Sequence, residues 1–213
     1  LENCHATSTV RISGRNYVGG LAGYLDHSAY RCSSAATVVS EGNTVGGLFG
    51  TVQSNGSTAV SECFFSGSVT GVNLVGGIAG SLYNGGTFSD IYCTGSAEAT
   101  AAAGAAGGIT GTFRSGTIRN AYACGNVTAA NAGSVAAKLE WTSGQKTLDN
   151  VYVIQSDHET AAVLNGCTIQ NGAAISKTAE ELKGLASSLG DKFAEDAASI
   201  NQGYPILNWQ EGS

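Results

Sequence analysis

Apolar and polar positions alternate in short blocks that recur about every 30 residues along the chain. Alternation with a period of two is typical of β-strands that bury one face, so each block is predicted to be a strand. In each block, two side chains that lie two positions apart are expected to point inward. These inward pairs are Cys4/Ala6, Cys32/Ser34, Cys63/Phe65, Ile91/Cys93, Ala121/Ala123 and Val151/Val153. Another apolar residue, expected to face the core, precedes most blocks: Ala29, Val60, Phe88, Ile118 and Leu148.

A glycine-rich string recurs with the same period. It consists of two glycines, an aliphatic residue, a variable residue and a third glycine, and its copies are Gly19–Gly23, Gly46–Gly50, Gly76–Gly80 and Gly107–Gly111. Similar strings at a near-constant spacing of this length indicate stacked repeats. Two adjacent glycines suit a sharp corner that needs either a positive φ or a close approach of two backbones.

Together these patterns predict an all-β fold: a right-handed parallel β-solenoid, or β-helix, of about six coils over residues 1–175. The glycine string degrades in 133–137 and is lost in 161–164, which indicates that the solenoid ends there. The first residues fall in the middle of a repeat. We therefore expect that further coils precede Leu1 in the parent protein.

The last part of the chain, 176–213, has a different pattern. Thr178 and Glu181 form a capping box, and Leu182, Leu185 and Leu189 follow at helical spacing before Gly190, so a helix is predicted over about 179–189. An extended apolar tail, 203–209, comes after it. This segment is predicted to cap the last coil, which would otherwise expose an apolar cross-section and unpaired strands.

Charge and hydropathy exclude two classes of partner. The chain has 10 Lys and Arg against 16 Asp and Glu, a net charge of −6, and it contains no basic run, so nucleic acid is not an expected partner. The longest apolar stretches are too short to span a bilayer, so no direct membrane insertion is expected. Polar positions are occupied by Ser, Thr, Asn and Gly rather than by Lys and Glu, which is unusual for a cytosolic enzyme.

The four glycine strings, together with Asn3–Thr7 and Asn120–Gly125, resemble the GLUG motif of bacterial cell-surface and secreted proteins. The likeness covers about residues 1–165, and the tail is similar to the segment that often follows such repeats. The resemblance implies an extracellular repeat region. Regions of this kind occur in adhesin-like proteins and in the non-catalytic part of immunoglobulin A-cleaving metallopeptidases.

The cysteines follow the repeat as well. Cys4, Cys32, Cys63, Cys93 and Cys124 recur at about the repeat spacing, and we expect mostly reduced, buried thiols. Side chains in register on parallel strands point the same way and reach disulfide torsions only with strain. The sequence contains no Cys-x-x-Cys pair, so neither a metal nor another cofactor is predicted.

Polar residues with potential chemistry are scattered. His5, His27 and His158 fall in different parts of different repeats, and we predict no catalytic site and no enzymatic activity. One repeat position is shared by polar residues: Asn3, Glu62, Asp90, Asn120 and Asn150. This column has two interpretations, a calcium-binding carboxylate column or a hydrogen-bonded ladder at a recurring turn, of which we favour the ladder.

The candidate ligand-contact residues form an aromatic column, Phe64, Tyr92, Tyr122 and Tyr152, which His5 and Ser33 precede. These residues lie one position away from the inward pairs and are expected to face outward. One interpretation is a surface that stacks on sugar rings or peptide side chains. The other, which we favour, is a ladder that shields one sheet, for instance under a loop.

The predicted function is a non-enzymatic, monomeric, extracellular module that acts as a stalk or as an adhesion domain for a host glycan or protein. The alternative is an accessory domain that positions substrate in a secreted peptidase or glycan-active enzyme. A catalytic β-helix is a third possibility. The sequence names no ligand.

Overall fold

The structure is a computed structural model that describes residues 1–54, 57–140, 144–155, 159–161 and 168–211. Its fold is a parallel β-solenoid of about five turns with very little helix, which confirms the predicted fold class. The expected sixth coil falls partly on residues outside these described ranges.

The first three coils begin at the amino end. Coil 1 contains β1 (His5–Ala6), β2 (Arg11–Gly14), β3 (Val18–Gly19) and β4 (Ala22–Leu25). Coil 2 contains β5 (Ala29–Tyr30), β6 (Ser33–Ser34), β7 (Thr37–Ser40), β8 (Thr44–Gly46) and β9 (Phe49–Gln53). Coil 3 contains β10 (Ala59–Phe65), β11 (Ser68–Gly71), β12 (Leu74–Gly76) and β13 (Ala79–Tyr83).

The remaining strands complete the solenoid. Coil 4 contains β14 (Gly86–Cys93), β15 (Ser96–Ala99), β16 (Ala105–Gly107) and β17 (Thr110–Phe113). Coil 5 contains β18 (Gly116–Ala123), β19 (Val127–Thr128) and β20 (Asn131–Leu139). Beyond it lie β21 (Lys146–Ile154), β22 (Glu159–Ala161) and β23 (Ala174–Lys177).

Three parallel sheets run along the solenoid. Sheet A has the order β1-β6-β10-β14-β18-β21-β23, with β5 beside β10. Sheet B has the order β2-β7-β11-β15-β19. Sheet C holds the strands on both sides of the glycine corners, and its two outermost strands are β3 and β4. Equivalent residues pair in register, so that the same repeat position forms a column along the axis.

The columns that were predicted to face inward are buried from coil 2 onward, whereas Cys4 and Ala6 of coil 1 are partly buried. Cys63, Ile91, Ala121 and Val151 lie opposite one another on adjacent strands, and each is 0% exposed. The apolar residues that precede the blocks form a second buried column, namely Ala29, Val60, Phe88, Ile118 and Leu148. Both predictions are confirmed, and together these columns fill much of the solenoid's core.

The polar column bends the strands of sheet A. Its five residues, and Arg31, which takes the same position in coil 2, all have φ between 45° and 56°. The left-handed region is several-fold enriched in Asn and Asp, which explains the frequency of these residues at this position. The bend recurs at the same place in every coil.

The paired glycines lie at corners where two backbones approach closely. A Cβ atom at Gly46 would lie 2.0 Å from the carbonyl oxygen of Phe49, and one at Gly47 would lie 2.2 Å from that of Gly77. None of the paired glycines has a positive φ. Of the two reasons that the sequence offered, close approach is therefore the correct one.

The C-terminal segment, residues 178–211, contains two short helices instead of one. They are α1 (Ala179–Lys183) and α2 (Ala186–Leu189). The predicted capping box is present, with Thr178 N donating to Glu181 Oε2 at 2.8 Å. The predicted continuous helix is wrong, because Gly184 ends α1 and allows the chain to turn. An antiparallel pair, β24 (Phe193–Ala194) and β25 (Ile206–Leu207), and a 3-10 turn (Asn208–Gln210) follow.

The C-terminal segment was expected to cover the last coil, but it lies along the outer face of sheet A. Asn150, beyond the fifth coil, donates to the carbonyl oxygen of Ser188 at 2.8 Å. At the other end of the segment, the ring centroids of Trp209 and of His5 in coil 1 are 5.2 Å apart. The segment thus runs back along the solenoid and covers its side.

Candidate functional site: the covered aromatic column

The aromatic column lies on the outer face of sheet A, and its first three rings are stacked. Phe64, Tyr92, Tyr122 and Tyr152 pair in register on β10, β14, β18 and β21. The ring centroids of Phe64 and Tyr92 are 4.7 Å apart with an interplanar angle of 4°, and those of Tyr92 and Tyr122 are 5.1 Å apart with an angle of 5°. This spacing follows from the ~4.8 Å between neighbouring strands. The prediction that the column points away from the solenoid core is confirmed.

The C-terminal segment covers this column. Tyr92 and Tyr122 are each 1% exposed, and Tyr152 is 9% exposed. They form a second hydrophobic cluster with apolar residues of the segment, namely Leu182, Leu185, Leu189, Phe193 and Leu207. The expectation of an open ligand surface does not hold in this structure. The favoured alternative, a ladder shielded by another part of the chain, describes the column correctly.

Hydrogen bonds attach the C-terminal segment to the two buried tyrosines. The hydroxyl of Tyr92 donates to Gln210 Oε1 at 3.0 Å, and that of Tyr122 donates to the carbonyl oxygen of Pro205 at 2.5 Å. Asn201 Nδ2 donates to the hydroxyl of Tyr122 at 2.8 Å. Burial raises the pKa of both phenols, so both remain protonated hydrogen-bond donors well above neutral pH.

Asp196 organises the loop that presents Asn201. Its carboxylate accepts hydrogen bonds from the backbone N–H groups of Ile200, Asn201 and Gly203 at 2.8, 2.7 and 2.9 Å. Asp196, Asn201 and Gln210 were not predicted from the sequence. A signal was present, because an Asp followed by Ser, Asn and Gly is typical of a tight loop in which the carboxylate bonds to nearby backbone.

A polar cluster holds the far end of the C-terminal segment. Trp209 Nε1 donates to the backbone carbonyl of Glu62 at 3.1 Å. The Glu62 carboxylate, whose side chain is only 8% exposed, lies 3.0 Å from Arg31 Nε and 3.8 Å from Lys192 Nζ. Trp209 and Lys192 thus attach the C-terminal segment to Glu62 of coil 3, which in turn pairs with Arg31 of coil 2.

Three residues of the polar column, Asp90, Asn120 and Asn150, form the ladder that the sequence favoured. Asn120 Nδ2 donates to Asp90 Oδ1 at 2.9 Å, and Asn150 Nδ2 donates to Asn120 Oδ1 at 3.1 Å. The carboxylate of Asp90 is therefore engaged by an amide of the next coil. Among the described residues, no group of three or more His, Cys, Asp or Glu side chains is arranged to hold a metal ion.

The cysteines in the described part of the chain are free thiols, and Cys32, Cys63 and Cys93 are buried. The thiol of Cys63 donates to the carbonyl oxygen of Ser61 at 3.1 Å, and that of Cys32 donates to Tyr30 at 3.2 Å. Burial raises the pKa of Cys93 to about 12. These three thiols are core residues, as the sequence predicted; Cys167 lies outside the described residues.

The remaining candidates are dispersed. Nδ1 of His27 lies 2.8 Å from Asp26 Oδ1, but both side chains are exposed, at 85% and 65%. His158 lies outside the described residues. One surface depression, of about 290 Å³, lies beside Ile200 and Ile206 in the C-terminal segment. None of the helices in the described ranges has the length and hydrophobicity that a membrane crossing requires.

Comparisons with known proteins identify no relative by sequence. No family model matches the chain, and no curated protein matches it. One solved structure, a crystal structure from Bacteroides ovatus described as a "putative immunoglobulin A1 protease", aligns over 92% of this chain and 75% of its own. The two sequences are 17% identical and the TM-score is 0.48. Similarity at this level carries no argument about function.

Proposed function

We propose that this protein is a non-enzymatic β-solenoid module of a bacterial extracellular protein, of the GLUG-repeat type, which displays a surface to host glycans or proteins. The position of the glycine strings supports the assignment. All four strings form equivalent close-packed corners, as a motif that specifies architecture should. The Ser-, Thr- and Asn-rich, weakly charged surface supports an extracellular location.

One observation carries the proposal. The side chains of the polar and aromatic columns contact their neighbours in the same column and residues of the C-terminal segment. The aromatic column is covered and three of its rings are stacked. In the polar column, one carboxylate and two amides form a hydrogen-bonded ladder. Residues that could otherwise perform chemistry thus hold neighbouring coils together. This arrangement suits a rigid scaffold.

A binding and turnover screen tests the proposal. The isolated protein is applied to a glycan array and incubated with a panel of polysaccharides and proteins that includes immunoglobulin A. We expect binding to at least one ligand class without cleavage. The variant Gly77→Val, whose side chain would collide with the next coil, controls for adhesion by unfolded protein. Turnover of any polymer by the folded protein would overturn the non-enzymatic reading.

A further inference from the structure

The C-terminal segment carries an apolar surface depression. It has a volume of about 290 Å³, and Ile200 and Ile206 line it together with Ala197 and Ala198. Ile206 is only 2% exposed, which places it at the base of the depression, whereas Ile200 is 54% exposed. Single exposed apolar residues are ordinary on protein surfaces, but an exposed isoleucine that borders an apolar depression is typical of a contact site.

The loop that presents Ile200 is held in shape by its own hydrogen bonds. Ser199 precedes Ile200 and Gln202 follows it in the loop, and their φ angles are 56° and 59°, in a region that is unfavourable for residues other than glycine. The Asp196 carboxylate stabilises this conformation by accepting three backbone hydrogen bonds, one of them from Ile200 N at 2.8 Å. Little conformational entropy is therefore lost when a partner packs against Ile200.

Carboxylates border the depression. Glu195 and Glu211 line it, and both residues are exposed. In residues 178–211, six Asp and Glu against two Lys give a net charge of −4, out of −6 for the whole chain. Both lysines form ion pairs with other carboxylates, at nitrogen-to-oxygen distances of 2.9 and 3.8 Å. Among the described residues, no ion pair involves Glu195 or Glu211. The rim of the depression thus complements a basic partner.

We propose that this depression binds an extended basic peptide segment of a partner protein. The peptide inserts one aliphatic side chain between Ile200 and Ile206 and places Lys or Arg side chains beside Glu195 and Glu211. The volume suits one anchoring side chain, because pockets for whole small molecules generally measure about 300–1,000 Å³. A sugar is a poorer fit, because no aromatic ring lines the depression in the part of the chain that the structure describes. The inference rests on the proposed function, for which it names a class of protein partner and its site.

A peptide titration with the whole chain tests the proposal. The probe is a fluorescent nonapeptide with a central leucine, two lysines on each side of it and serines at the remaining positions. One matched peptide replaces the leucine by serine, and another replaces the lysines by glutamates. Fluorescence anisotropy at low salt measures each dissociation constant. We expect the leucine–lysine peptide to bind at least about 10-fold more tightly than either matched peptide.

Variants of the protein then locate the binding site. Ile200→Ser should weaken binding by about 10-fold or more, because a few anchoring residues carry most of the binding energy of an interface. The double variant Glu195→Gln with Glu211→Gln should weaken it by about 3-fold to 10-fold, and by less at high salt. The controls are Ile175→Ser and Glu98→Gln, which change an exposed isoleucine and an exposed carboxylate of the solenoid. They should leave binding unchanged.

The outcomes separate this site from a general attraction of cations to an acidic protein. Equal binding of the leucine and serine peptides would overturn the proposal, as would equal losses in Ile200→Ser and Ile175→Ser or the absence of binding. The proposed function would survive these results, because polymer turnover is what contradicts it. If Ile200→Ser does not fold, the leucine–lysine peptide should still shift the amide NMR signals of Ala197 and Ala198 in the unmodified chain. Shifts confined to other residues would also overturn the proposal.

Discussion

At the scale of the residue, the paired glycines are required because neighbouring backbone occupies the space of a side chain. A Cβ atom at Gly77 would lie 2.2 Å from the carbonyl oxygen of Gly108 and 2.3 Å from Cys93 Sγ. Contacts this short force the backbone of one coil to move. Since the coils stack in register, a shift at one corner is transmitted to the next.

The variant Gly77→Ala should therefore lower the free energy of unfolding by about 2–4 kcal/mol. Urea denaturation at neutral pH measures the change. Gly184→Ala is the control, because an added Cβ there would find its nearest heavy atom at 3.8 Å and φ is −85°. We expect the control to be neutral or slightly stabilising. Equal losses in both variants would contradict the close-approach explanation.

The buried tyrosines provide a second residue-scale prediction. Tyr122→Phe removes a hydroxyl that donates to Pro205 and accepts from Asn201, so the free energy of unfolding should fall by about 1–3 kcal/mol. Thermal or urea unfolding measures the loss. Tyr17→Phe, at a side chain that is 54% exposed, should change stability by less than about 0.5 kcal/mol. A neutral Tyr122→Phe would show that these hydrogen bonds do not hold the C-terminal segment.

At the scale of the element, the strands of sheet A and their buried columns could be predicted because strand periodicity is a local property of the sequence. Cys63, Ile91 and Val151 occupy the predicted inward positions, since a repeat places each copy in the same environment. The outward direction of Tyr92 followed from the same alternation. Its burial did not, because alternation says nothing about what covers the outer face.

The position of the C-terminal segment was not accessible from the sequence for a related reason. Leu182, Leu185 and Leu189 form an apolar face that fits either the end of a solenoid or its side. The choice between the end and the side depends on how well this leucine face packs against the stacked tyrosines. The leucines and the tyrosines are far apart in the chain, so a local sequence pattern does not reveal their contact. The break at Gly184 was hidden by leucines whose spacing suits one continuous helix.

The C-terminal segment should also unfold separately from the solenoid. Its apolar residues form a cluster with the aromatic column, which sheet A separates from the solenoid core. In the variant Leu189→Ala, a truncation of a fully buried side chain, the amides of residues 178–211 should exchange faster while those of β10 and β14 stay protected. Hydrogen exchange with mass spectrometry measures this difference.

The matched control is Leu82→Ala, which truncates a fully buried leucine of the solenoid core. It should raise exchange in the solenoid and in the C-terminal segment together, because the segment has no docking surface without sheet A. If Leu189→Ala accelerated exchange everywhere to the same degree, the segment and the solenoid would form one cooperative unit.

At the scale of the whole molecule, the buried Cys93 thiol and two buried phenols make the fold sensitive to alkaline pH. Burial raises the pKa of Cys93 to about 12, and it raises the pKa of Tyr92 and Tyr122 as well. A raised pKa in the folded state means that folding favours the protonated form. The resulting stability is fully present below the pKa of the unfolded chain and is lost as the pH rises toward the folded value.

Stability should therefore fall between about pH 9 and pH 12, with a slope of up to about 1.4 kcal/mol per pH unit for each titrating group. Urea denaturation across this range measures the slope. Cys93→Ala should make the slope shallower, because one titrating group is removed. Val69→Ala, an equally buried truncation without a titratable group, should keep the wild-type slope. Identical slopes in all three proteins would contradict the role of the Cys93 thiol.

Because the C-terminal segment runs back along sheet A, it can dock only after the coils beneath it have formed. Two neighbouring coils can stack as soon as both have been synthesised. The hydroxyls of Tyr92 and Tyr122, in contrast, gain their partners only when Asn201, Pro205 and Gln210 have been synthesised. Contacts between positions this distant form late, since the loop that joins them must be closed first. A nascent chain therefore carries an open aromatic strip until residues 201–210 have been synthesised. The strip is protected from aggregation only after this segment has docked.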